Sequence, residues 1–162
     1  MASQRYIELL ADAATRAAVP IQATTADLWK EFDSSWEYLA EGNYDHAPAL
    51  TYFATVSLAL LSSLTGTPVP HLAARATELH VGKNAGYAGG HKDPWANFRM
   101  ATSFGVTPFD GVMVRLSDKY IRTQNLRRNP ANEQVGESIA DTLFDASAYA
   151  LIARCIQEES HA

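Results

Sequence analysis

The sequence predicts an all-α fold, a helical bundle of about seven helices. Apolar residues recur at three- and four-residue spacing through most of the chain, and the period-two alternation of strands is scarce. Proline, glycine and hydroxyl residues punctuate that pattern at short intervals, as helix starts and stops do. With 162 residues the chain can bury a core without staples. It reads as a single domain over residues 1–162 with no internal repeat and no long linker.

The elements follow in order. An opening helix near residues 3–18 ends before Pro20. In TTADLWKEFDSSWEYLAEGN, Thr24 or Thr25 is the N-cap, Leu28, Phe32, Trp36 and Leu39 share a face, and Gly42–Asn43 end the helix. Residues 47–64 carry no charge, but Pro48 and several hydroxyls weaken a membrane span, so a buried core helix is expected. HLAARATELHVGKNAGYAGG is a helix expected to fray at Gly82 and stop by the glycines at 86–90. HKDPWANFRMATSFG then restarts with Asp93 as N-cap and Pro94 at the first helical position. TPFDGVMVRLSDKYIRTQNLRRN starts near Thr107 and Pro108 and halts before Pro130, and residues 132–159 form the last helix.

Charge is unevenly placed. The net charge is −5, with 3 basic and 8 acidic side chains in residues 1–70 but 9 basic and 4 acidic in residues 75–128. A basic middle can attract a phosphorylated ligand or pair internally with its acidic flanks. An acidic chain is not expected to bind duplex DNA strongly. A single cysteine, Cys155, excludes an internal disulfide, and the charged opening stretch lacks a signal-type apolar run. A cytoplasmic protein without membrane contact is the expectation.

The last helix carries the most informative pattern. In GESIADTLFDASAYA, Glu137, Asp141 and Asp145 are four apart and so fall on one stripe, which continues as Ala148, Ile152 and Cys155. A solvated ridge stays polar along its length, whereas this one turns apolar, which places its acids at the edge of a packed face. Buried carboxylates need cations, protonation or a metal, and a hard ion such as Mg²⁺ favours oxygen ligands. In the preceding helix Arg115, Asp118, Lys119 and Arg122 share a face. As a site, Asp118 adds a metal ligand and the three cations bind phosphate oxygens; as structure, the same residues pair with the acids. The spacing is compatible with both. The glycine-rich stretch with Lys83 and Lys92 suits an anion or simply links two helices.

Other chemistries lack their patterns. There is no GxxxxGK[ST] or GxSxG, the five histidines show no zinc spacing, and Cys155 lies in an apolar helix.

Taken together, KNAGY from Lys83, HKDPWANF, RLSDK from Arg115 to Arg122, and ESIADTLFDASAYA resemble phage nucleotide-modification-associated domains. These are similar to the MazG-like all-α nucleotide pyrophosphohydrolases, and the resemblance covers about residues 71–156. It implies a Mg²⁺-dependent enzyme, or a nucleotide-handling protein, that acts in the host cytoplasm and splits a nucleoside triphosphate into monophosphate and pyrophosphate. Carried over, it implies Glu137 and Asp141 as catalytic metal ligands, with Asp118 and Asp145 as further ligands. Lys83, Arg115, Lys119 and Arg122 would contact phosphates, and Asn97 the nucleotide, natural or modified. A homo-oligomer is expected, with the helix at 47–64 standing in for one supplied by a partner in smaller relatives. The pattern departs from the family's. The acids are spaced ExxxD rather than ExxD, no EExxE precedes them, and Glu78 stands alone in its helix. The alternative is a non-catalytic helical protein that binds a nucleotide or a protein partner.

Overall fold

Hydroxyl side chains mark the starts of three long helices. The computed structural model describes residues 2–18, 23–46, 48–87, 93–132 and 138–162, and all regular structure among them is helical. The α-helices are α1 (Ala2–Ala18), α2 (Thr25–Ala40), α3 (Ala49–Thr65), α4 (Val69–Tyr87), α5 (Ala96–Arg99), α6 (Pro108–Arg128) and α7 (Ile139–Ser160). Thr24 and Ser138 start α2 and α7 with full capping boxes, and Thr107 caps α6 ahead of Pro108. Each hydroxyl accepts an otherwise orphaned backbone N–H of the first turn.

Among the described residues the number and order of helices match the expectation, and three local readings are corrected. The restart after the glycine stretch is not a helix opened by Asp93. Asp93 Oδ1 accepts the Trp95 N–H at 3.0 Å and its other oxygen bonds Arg99, so the side chain closes a turn. The helix that follows is only α5, continued by a 3₁₀ segment, Met100–Phe104, and ended by Gly105 at φ +74°. That positive φ suits glycine, which pays no Cβ clash there. The last helix begins at Ile139 rather than 132, because the Ser138–Asp141 capping box fixes its first turn. α4 runs unbroken through Gly82, where fraying is expected, and its described part ends at Tyr87, within the expected stop at 86–90.

α3 and α7 form the centre. α7 packs on α6, α3 and α1, while α3 also contacts α2, α1 and α4. Leu50, Phe53, Ala54, Leu58 and Leu60 of α3 are fully buried, as are Leu143, Ala146, Ala150, Leu151 and Ala153 of α7. One buried cluster draws on α1, α2, α3, α4, α6 and α7. Burying each large aliphatic side chain contributes roughly 1.5–3 kcal/mol before the entropy of ordering is subtracted. The uncharged helix is therefore core. Among the described residues no single helix is long and apolar enough to cross a membrane.

Candidate functional site

The α7 stripe read from the sequence becomes one wall of a cavity of about 570 Å³. Asp145, Ala148 and Ile152 face it, with Phe144 and Tyr149 beside them. Tyr6 of α1 and His80 of α4 form its floor, their rings stacked at 4.1 Å. Trp95, 1% exposed, tilts against His80 at 5.6 Å. Burial pushes the Tyr6 phenol up and His80 down from their ordinary values, so both stay neutral near pH 7. The floor is aromatic, uncharged and nearly dry.

The opposite wall is the strap made of α5 and the 3₁₀ segment. Asn97, Phe98, Met100, Ala101 and Phe104 line the cavity from it. Glu159, in the last turn of α7, holds the strap down by accepting from Trp95 Nε1 at 3.2 Å and from Arg99 Nη2 at 2.6 Å. Gly111 of α6 lets the strap lie close, since a Cβ there would stand 3.3 Å from the Cβ of Ala101. Three apolar side chains remain exposed around the mouth: Leu79, Met100 and Phe104, the last 85% exposed.

Three of the residues nominated from the sequence, Asn97, Arg115 and Asp145, line this one cavity. Lys119, one turn beyond Arg115, donates from Nζ to Asp145 Oδ2 at 2.9 Å. Arg115 itself forms no ion pair among the described residues, Asp145 included. Asp118 is exposed and Arg122 half-buried farther along α6, and neither lines the cavity. Asp141 is half-exposed one turn before Asp145 on α7. Its Oδ2 accepts from the Ser138 hydroxyl at 2.8 Å, and its Oδ1 lies 3.8 Å from Arg75, whose guanidinium stands over the Phe144 ring. Glu137 and the Lys83 side chain lie outside the described residues.

These positions bear on a metal. Asp145 has Lys119 as a counter-charge on Oδ2, and Asp141 is the carboxylate of a capping box. Among the described residues no three His, Cys, Asp or Glu side chains are grouped to hold a metal ion.

Sequence reasoning missed the aromatic floor. Tyr6 reaches the site from the first helix, 74 positions before His80, and nothing in its local pattern distinguishes it from a core tyrosine. Trp95 is buried in the core and also lines the cavity. Cys155, at the buried end of the stripe, has its thiol pushed up to about 12 by burial, which leaves it unreactive.

Compared with family models, curated proteins and solved structures, the chain matches none.

Proposed function

We propose that this is a nucleotide-handling helical protein whose cavity takes a ligand with a flat ring and an anionic group. The observation that carries the reading is Arg115, a cavity-lining cation with no carboxylate partner among the described residues, set beside an aromatic floor. A planar ring gains contact with Trp95, Tyr149 and Phe98, and a phosphate gains charge-assisted hydrogen bonds from the guanidinium. Asn97 adds a donor and an acceptor at the strap. The resemblance to phage nucleotide-modification-associated domains points to the same ligand class.

Calorimetry with a panel of natural and modified deoxynucleotides tests this, with and without Mg²⁺. Wild-type protein is expected to bind at least one member, and Arg115→Gln to weaken that binding about tenfold or more. Failure of every nucleotide to bind defeats the reading.

Cleavage to monophosphate and pyrophosphate is the second reading. It is favoured by the position of Asp145 on the cavity wall with Asp141 one turn away on the same helix. Pyrophosphate release in the presence of Mg²⁺ is its assay. Release that is absent for every triphosphate, or unchanged in Glu137→Gln and Asp141→Asn, removes the hydrolase and leaves the binding protein.

A further inference from the structure

Asp145 is an unusual side chain to find on the wall of a cavity read as an anion site. Its two oxygens differ. Oδ2 takes the Lys119 ammonium at 2.9 Å in a half-buried pair, with the Lys119 side chain 19% exposed and Asp145 31%. Oδ1 accepts no hydrogen bond from the described residues. The carboxylate is thus charge-compensated by α6, and its second oxygen has no partner among the described residues. Arg115 forms no ion pair with it, so the cavity carries an acceptor on α7 and a separate donor on α6.

We propose that Asp145 selects ring systems bearing an amino group, so that the preferred ligand is an amino-substituted nucleobase rather than a ring whose corresponding edge is a carbonyl. This rests on the nucleotide reading above and refines it. An exocyclic amino group donates to Oδ1, whereas a carbonyl there presents a second acceptor to a carboxylate. The carbonyl ligand then loses a charge-assisted hydrogen bond and leaves a partly desolvated acceptor unmade. The anionic end of the same ligand lies toward Arg115, away from the carboxylate, which orients the ring inward and the phosphate outward.

The cleanest probe is the pair dCMP and dUMP, whose rings differ chiefly in an amino group against a carbonyl at one position. Calorimetry on wild-type protein is expected to give dCMP roughly tenfold or more tighter binding than dUMP. In Asp145→Asn, which keeps the shape and supplies an amide donor, that ratio is expected to fall toward one. Equal affinities in the wild type, or a ratio preserved in Asp145→Asn, overturns the role of Asp145 while leaving nucleotide binding intact. Binding of no deoxynucleotide removes both. The wild-type comparison decides by itself, and thermal melting of Asp145→Asn checks that its fold is retained.

Discussion

The two halves of α6 use the same residue types to opposite ends. Toward its C-terminus, Asp33 of α2 accepts from Tyr120, Gln124 and Arg127, and Arg127 also stands 4.4 Å over the Trp29 ring. Trp36 and Tyr120 stack at 4.5 Å behind it, and Phe32 packs on Tyr120 at 5.6 Å. Toward its N-terminus, Asp145 of α7 accepts from Lys119 beside an aromatic cavity whose Arg115 is unpaired among the described residues. Both aspartates are 31% exposed, so burial does not separate them. What separates them is how much hydrogen-bonding capacity the fold consumes. The Asp33 end is a closed staple between α2 and α6, and the Asp145 end keeps a cation and an acceptor unspent. Polar groups bound to each other hold a fold together, and those left facing a cavity are available to a ligand.

The largest expected effect breaks the closed end. Phe32 is fully buried among Trp29, Phe53 and Tyr120, so Phe32→Ala is expected to cost about 3–5 kcal/mol. Denaturant unfolding measures it, and a loss below about 1 kcal/mol would show that the staple is not packed as described.

A smaller effect sharpens the contrast between the two aspartates. Asp33→Ala leaves three donors without their acceptor in a half-buried site, for an expected loss of about 1–3 kcal/mol. Asp145→Asn breaks one ion pair and keeps the shape, for an expected loss under about 1 kcal/mol. Equal losses in the same unfolding experiment would erase the distinction between staple and site.

How much of this was legible in the sequence follows from the range of each interaction. Thr24, Thr107 and Pro108 were readable because a cap is a contact within four residues. Asp93 misled for the same reason: the local signal, Asp then Pro, fits a helix start, but Arg99 and the Glu159 of a distant helix claim the segment for a strap. The stripe on α7 was readable as a half-packed face because helical period is local. Lys119 of the preceding helix was readable as one of the cations that could pair with it, but which acid it meets was not, and Arg75 comes from a more distant helix. Asp141 shows the limit within one element. Its four-residue spacing from Glu137 and Asp145 puts it on the stripe of candidate ligands, and Ser138 three positions earlier also makes it the partner in a capping box. The aromatic floor stayed hidden because Tyr6, His80 and Trp95 meet only once α1, α4 and the strap are assembled.

The smallest expected effect concerns pH and belongs to the cavity end. His80 is buried against Tyr6 and Trp95, and desolvation holds its pKa below the ordinary imidazole value. As pH falls below about 6.5 the unfolded chain takes up a proton that folded His80 resists, so the unfolded state binds more protons. Stability is therefore complete above that pH and declines on acidification through the His80 range. Asp27 and Glu158 are also shifted downward, by the Thr24 hydroxyl and by Arg5 respectively, but they act lower, in the carboxylate range near 4. Urea midpoints between pH 7 and 5 isolate the histidine. His80→Phe keeps a ring on Tyr6 and removes the titration, so its midpoint is expected to fall less over this interval than that of the wild type. Parallel declines in the two proteins would mean that His80 is not the group resisting protonation, and that the cavity floor is wetter than its burial implies.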